Sequence, residues 1–169
     1  WREARLLAAK AWAKAREPKR SREAYSDLIK EWPHSDEAKT ARFMLAFSHY
    51  EAQEWHKAAR AFSPLCRHQG DERRAERLSG LASREGWTRS AEWYHAWSLY
   101  QSSPKRAAPF LAYQVGEGLP TSEEGRRAAY WAAQAYEAHN PKRARALREA
   151  LLQGDPLDWY SLLVRATHP

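Results

Sequence analysis

The chain has 169 residues, of which 43% are hydrophobic and 29% charged, a composition that excludes a membrane-embedded protein and a disordered one. Its single cysteine, Cys66, excludes a disulfide framework. The formal net charge of +7 favours an anionic partner such as nucleic acid, lipid headgroups or the bacterial wall, or reflects an Arg-rich proteome.

Apolar residues recur at spacings of three and four along almost the whole chain, which predicts an all-α protein. Proline and glycine divide this pattern into helices, because proline inside a helix removes a backbone hydrogen bond and glycine weakens the helix. The predicted helices cover roughly residues 2–16, 19–31, 36–53, 54–68, 71–84, 89–102, 104–115, 122–138, 141–153 and 156–167.

Polar residues with short side chains mark three of the predicted helix starts. Ser35 is a good N-cap, and acidic residues follow it in the first turn, where the helix dipole favours them. Thr121 and Glu124 have the spacing of a capping box. Asp155 precedes a proline and is predicted to cap the last helix.

A repeat underlies this punctuation. The tripeptide Pro-Lys-Arg occurs at residues 18–20, 104–106 and 141–143, each time between two predicted helices. Its last two copies lie 37 residues apart, and so do Tyr25 and Phe62 in the second helices of two hairpins. A period of this length built from two helices is typical of an α-solenoid.

Small residues at matching positions support the repeat, since they let the two helices of a hairpin approach closely. The pattern, with Tyr25-x2-Leu28-x4-Pro33 closing the first hairpin, resembles the tetratricopeptide repeat. We therefore expect an α-solenoid of antiparallel helix hairpins, with two tetratricopeptide-like hairpins in 1–70, an extra helix in 71–87 that breaks the period, and further hairpins in 88–169. The alanines expected at the hairpin contacts are Ala46, Ala58, Ala96, Ala107, Ala132 and Ala144, and Trp131 is expected inside its hairpin.

The C-terminal half resembles a narrower family. Arg127-Ala-Ala-Tyr130-Trp131-Ala-Ala and the later Pro156-Leu-Asp-Trp159-Tyr160-Ser-Leu-Leu163 are similar to the helical superstructure of soluble lytic murein transglycosylases. This resemblance implies a periplasmic protein in which a lysozyme-like catalytic domain follows residue 169, so that the chain is a segment of a longer enzyme. The Glu-Ser motif that carries the family's catalytic acid does not occur here, so the resemblance assigns no catalytic residue.

Candidate chemistry within the chain itself is weak. Cys66 and His68 form the one close Cys/His pair, which falls short of a zinc site without a second pair nearby. His95 occupies a core-facing repeat position, and Asp155 and Asp158 have the position of helix caps. No nucleophile elbow and no Gly-rich phosphate loop occurs. We therefore predict neither a catalytic residue, nor a metal, nor a cofactor.

One aromatic pattern suggests a binding surface. Trp93, Trp97 and Tyr100 follow each other at i, i+4 and i+7, and Phe43, Phe47 and Tyr50 do the same in an earlier helix. In tetratricopeptide-like stacks this row of the first helix faces a concave groove, where rings can stack on sugars or peptides. Arg126 and Arg127 begin the equivalent helix one hairpin later and are expected to point into the same groove. The alternative is that these aromatics pack between hairpins.

Three functions compete on these observations. The first is a non-catalytic superstructure module of a lytic transglycosylase, which scaffolds the catalytic domain and guides a peptidoglycan strand. The second is a tetratricopeptide-like adaptor that binds a protein or peptide partner in the cell envelope. The third, nucleic-acid binding, is disfavoured because no nucleic-acid motif accompanies the charge.

Overall fold

The computed structural model describes residues 1–66, 85–116 and 118–168, and in these ranges the protein is helical without any β-strand. The prediction of an all-α fold is confirmed. None of the helices in these ranges is long and apolar enough to cross a bilayer. The α-helices are α1 (Arg2–Lys14), α2 (Pro18–Glu31), α3 (Asp36–Glu51), α4 (Trp55–Phe62), α5 (Glu85–Ser102), α6 (Pro104–Val115), α7 (Glu123–Tyr136), α8 (Pro141–Gly154) and α9 (Trp159–Thr167).

The helices belong to two compact units, Trp1–Ser98 and Leu99–Pro169, whose boundary falls inside α5. In the first unit each helix from α1 to α4 packs against the next, and α1 also contacts α3. In the second unit α6, α7 and α8 pack in sequence, and α9 lies against both α7 and α8. This succession of helix hairpins is the α-solenoid that the repeat predicts.

Proline begins three of these helices, as the Pro-Lys-Arg repeat predicts. Pro18, Pro104 and Pro141 each occupy the first turn of their helix, where a missing N–H costs no hydrogen bond. Gly116 ends α6 with a φ of 80°, a left-handed conformation that side chains with a Cβ disfavour. The local sequence therefore fixes where these helices start and stop.

Alanine is buried at the predicted hairpin positions. The side chains predicted to lie at the hairpin contacts are all fully buried: Ala46, Ala58, Ala96, Ala107, Ala132 and Ala144. An alanine side chain loses no rotamer freedom on burial, so a close helix contact costs little entropy at these positions. This part of the repeat interpretation is confirmed.

Two turns in the first unit have the same backbone conformation. Arg16 and Gln53, 37 residues apart, both adopt a left-handed φ, of 59° and 56°. The following residue donates its N–H to the carbonyl five residues earlier in each case, Glu17 to Trp12 at 3.0 Å and Glu54 to His49 at 2.9 Å. This hydrogen-bond pattern is the Schellman motif. The 37-residue period is thus present in the backbone as well as in the sequence.

The helix caps agree with the sequence at one position and differ at two. Ser35 caps α3 as predicted, since its hydroxyl accepts the Ala38 N–H at 3.1 Å. The cap of α7 is Ser122 rather than Thr121, and the Ser122 hydroxyl accepts the Gly125 N–H. The cap of α9 is Asp158 rather than Asp155. The Asp155 carboxylate instead accepts the Leu157 N–H and forms a turn before the helix.

Three further expectations concern the middle of the chain. The helix predicted for 54–68 ends at Phe62, and Ser63–Leu65 forms a short 3-10 helix around Pro64. Helix α5 begins at Glu85, four residues before the predicted start. Of the extra helix predicted for 71–87, residues 71–84 lie outside the described residues. The division of the chain into residues 1–70, 71–87 and 88–169 stays a prediction.

Candidate functional site

The aromatic row of α3 packs within the first unit. Tyr94 of α5 contacts all three of its rings, with centroid distances of 6.3 Å to Phe43, 5.2 Å to Phe47 and 4.8 Å to Tyr50. Phe62 of α4 adds a stacked contact to Tyr94 at 5.5 Å. For this row the structure matches the alternative that the aromatics pack between helices.

The row of α5 is arranged differently. Trp93 and Trp97 are half-buried, and their rings stack on each other at 5.6 Å with an interplanar angle of 18°. His95 lies between them in sequence and is therefore on the opposite side of the helix. It is buried, as predicted, with Nδ1 2.9 Å from the Ala59 carbonyl of α4. The two indoles thus lie on the side of α5 that faces away from α4.

Tyr100 and the two arginines belong to the second unit. Tyr100 is half-buried against Trp131, with ring centroids 5.2 Å apart, and burial raises the pKa of its hydroxyl. Trp131 is itself half-buried rather than fully inside its hairpin, so its expected burial is wrong in degree. That Trp93, Trp97, Tyr100, Arg126 and Arg127 line one groove stays a prediction.

Arg126 connects α7 to the start of α9. Its Nε lies 2.9 Å from Oδ1 of Asp158, and its Nη1 donates to the Thr121 carbonyl at 2.7 Å. The other oxygen of Asp158 accepts the Tyr160 N–H at 2.9 Å and so caps α9. One carboxylate therefore serves both an ion pair and a helix cap. Burial raises the pKa of the Tyr160 hydroxyl, and the positive charge of Arg127 opposes this effect.

A polar cluster joins α2, α3 and the start of α4. Arg22 lies 2.9 Å from a carboxylate oxygen of Glu54 and donates to the Ser48 carbonyl at 2.8 Å. Glu54 also contacts Nδ1 of His49 at 2.5 Å and the ammonium of Lys57 at 3.0 Å. The hydrogen bond from His49, then that from Lys57, lowers the pKa of Glu54 to about 2. Sequence analysis did not identify this cluster because Arg22 lies more than twenty residues before its other members.

The cluster predicts a pH-dependent contribution to stability. A carboxyl whose pKa falls on folding stabilises the folded state above its unfolded pKa. For Glu54 this contribution is complete above the ordinary value of 4.5 and is lost as the pH falls toward about 2. Urea unfolding of the parent and Glu54→Gln should differ most above pH 5, and the difference should shrink toward pH 2.5. The control is Glu23→Gln, which replaces an exposed glutamate on α2 and should leave the pH dependence of stability unchanged. If the stability difference between the parent and Glu54→Gln is the same at every pH, the contribution assigned to the Glu54 cluster is wrong.

Sequence analysis also missed an exposed apolar surface at the start of α9. Leu157 and Trp159 are 81% and 65% exposed, and Leu162 is exposed on the same helix. The hydrophobic periodicity of the sequence did not indicate this exposure, because Leu157 and Trp159 resemble core positions of an amphipathic helix. Within residues 1–66, 85–116 and 118–168, no group of three His, Cys, Asp or Glu side chains could hold a metal ion.

Comparison with known proteins identifies one repeat. Residues 3–35 match the model of the tetratricopeptide repeat, and this range covers nearly all of α1, all of α2 and the turn that leads to α3. No curated protein and no solved structure matches the chain. The chain thus contains a tetratricopeptide-like repeat in an α-solenoid, an architecture that suggests a protein-interaction module.

Proposed function

We propose that this chain is a protein-interaction module that binds a protein or peptide partner through its stacked helix hairpins. The supporting observation is the pair of 37-residue hairpins with the same Schellman turn, of which the first matches the tetratricopeptide model. Solenoids of such hairpins present extended surfaces whose helix faces are not needed for the fold itself, and partners bind to those faces.

The indole pair of α5 is the contact surface that this proposal assigns. Trp93 and Trp97 are half-buried and stack on each other on the side of the helix away from the buried His95. Tryptophan combines a large apolar surface with one N–H donor and is enriched among the residues that dominate binding energy. A partner with an aromatic or aliphatic side chain could therefore stack on the pair.

A second, narrower proposal keeps the transglycosylase resemblance of residues 88–169. Its support is that the two similar segments meet in the second unit, where Tyr130 of α7 lies 5.7 Å from Tyr160 of α9 and Arg126 pairs with Asp158. Under this proposal the chain is a periplasmic superstructure module that scaffolds a catalytic domain and guides a peptidoglycan strand. The catalytic acid would then belong to a domain outside this sequence.

The first proposal is tested by capturing partners from the native host and then reconstituting binding with the purified partner. Trp93→Ala/Trp97→Ala should weaken binding by at least about tenfold, as loss of interface tryptophans usually does. Trp159→Ala, which removes an exposed indole from α9, is the matched control and should bind within about twofold of the parent. Circular dichroism and thermal unfolding must first show that the double variant retains its helices.

Different outcomes separate the two proposals. The adaptor proposal fails if no captured protein binds the purified chain, or if the folded double variant binds as the parent does. The superstructure proposal expects the chain to sediment with insoluble peptidoglycan, and it expects the gene to encode a lysozyme-like domain with a Glu-Ser motif after codon 169. A parent chain that stays in the supernatant, with no such domain encoded, would reject the superstructure proposal.

A further inference from the structure

The side of α1 that faces away from the fold is apolar. Leu6 and Ala9 are the buried residues of this helix. At 100° per residue, the opposite side carries Ala4, Leu7, Ala8 and Ala11, with spacings of three, four and seven. All four are exposed, and Leu7 is 58% exposed. Leu7 is therefore a large aliphatic side chain in the middle of an alanine surface, which we call the α1 face.

Positive charge predominates around the α1 face. The first 20 residues contain seven Lys or Arg and only two Glu. Lys10 and Lys14 follow Leu7 by three and seven residues and so border one edge of the face, on which the exposed Glu3 also lies. In the part of the chain that the structure describes, neither forms an ion pair, whereas Arg5 pairs with Glu31 at 2.5 Å. On the other edge the Arg20 guanidinium lies 4.9 Å from the ring centroid of Trp12.

The shape of the α1 face fits a helix. Alanines along one side let a second helix approach to about 8–10 Å between axes, and one larger residue fills the gap between the partner's side chains. The same chain uses alanine in this way inside its hairpins, as at the fully buried Ala46 and Ala58. A bilayer is a poorer match, because a membrane-binding helix inserts several bulky side chains. Here Leu7 is the one bulky residue at the centre of the face, the exposed Trp1 lies at its N-terminal end, and Arg20 covers the Trp12 ring.

We propose that the α1 face binds an amphipathic helix of a protein partner whose apolar stripe is bordered by Asp or Glu. The apolar stripe would pack on Leu7 and the alanines, and the acidic borders would pair with Lys10 and Lys14. A second copy of this chain does not fit the face, because its own α1 would bring the same cations together. This inference rests on the proposed protein-interaction function and adds a second contact surface to it, distinct from the indole pair.

Synthetic peptides test this with the full chain. The probe is a fluorescent helical peptide of the length of α1, with leucines at i, i+3, i+4 and i+7 and glutamates on both borders. Its controls are a scrambled peptide and one with lysine in place of glutamate. We expect the chain to bind the acidic peptide at least about tenfold more tightly than either control, and we expect binding to weaken with salt because the charges are exposed.

Chain variants assign the binding to the α1 face. Leu7→Asp and, separately, Lys10→Glu/Lys14→Glu should each weaken binding of the acidic peptide by at least about tenfold. The matched control, Lys105→Glu/Arg106→Glu on α6, makes the same change in net charge at two exposed residues and should leave binding unchanged. Leu7→Ser serves as a second variant if Leu7→Asp loses helix content.

Four outcomes overturn the inference. The first is that the acidic and scrambled peptides bind equally, and the second is that no peptide binds. The third is that the folded Leu7 variants bind the acidic peptide as the parent does. The fourth is that the chain binds anionic phospholipid vesicles instead of the peptide, and does so through Leu7. The last result would identify a lipid surface as the ligand. If the peptide fails while a native partner still depends on Trp93 and Trp97, this inference falls and the proposed function stands. If neither test finds a ligand, both fall.

Discussion

Replacing Phe62 with alanine should lower the free energy of unfolding of the first unit by about 3–5 kcal/mol, the usual cost for a fully buried phenylalanine. Phe62 has no exposed surface and lies edge-on to Phe43 at 5.6 Å, besides its stacked contact with Tyr94. Its removal would leave a cavity between α3, α4 and α5 that the neighbouring Ala46, Ala58 and Ala91 cannot fill. Urea unfolding followed by circular dichroism measures the loss.

A conservative variant separates the cost of the cavity from the cost of changing the residue at all. Phe62→Leu keeps much of the volume and should cost less than about 1.5 kcal/mol. If Phe62→Ala and Phe62→Leu both unfold at the urea concentration of the parent, the assignment of Phe62 to the core is wrong.

The second large effect is expected at Leu151. This residue is fully buried in the core of the second unit with Ala129 and Val164, and its carbonyl accepts a hydrogen bond from the Ser161 hydroxyl at 3.0 Å. Leu151→Ala should cost about 2–5 kcal/mol. Leu152 follows it on α8 and is half-buried at the edge of the same cluster, so Leu152→Ala is the matched control and should cost clearly less. Equal losses for the two variants would contradict the register of α8.

The helices were predictable because their signals are local. Proline at a first helical turn, glycine after a last one and alanine every few residues act through the backbone of the segment that contains them. Pro104 and Gly116 therefore define both ends of α6 from the sequence alone. The buried alanines were predictable for a related reason: a repeat brings small residues back to the same contact.

The two misassigned caps show where local signals compete. Thr121 and Ser122 are adjacent, and both are acceptable N-caps, so a shift of one residue decides between them. Asp155 and Asp158 flank a proline, and each carboxylate accepts a nearby backbone N–H. Asp158 caps α9 and also pairs with Arg126, a residue more than thirty positions earlier. Such a long-range partner leaves no trace in the local pattern.

The candidate site was less predictable than the fold, because equal spacing does not imply equal surroundings. The rows of Phe43 and of Trp93 have the same sequence pattern, but Tyr94 packs onto the first row within the first unit. The second row instead contains two indoles that stack on each other. Periodicity identifies the side of a helix on which residues lie, whereas the neighbouring helices decide what covers that side. The Glu54 cluster was missed because Arg22 of α2 reaches Glu54 only once the helices pack together.

The recurring Schellman turn also bears on how such a chain can lengthen. Because Arg16 and Gln53 share one backbone conformation, a stretch from residue 16 to residue 52 begins and ends at equivalent points. A tandem duplication of that stretch in the gene would join each copy to the next through a turn the protein already makes. Both turn residues are exposed, so their side chains are free to diverge afterwards. Growth by whole hairpins therefore requires no newly evolved junction.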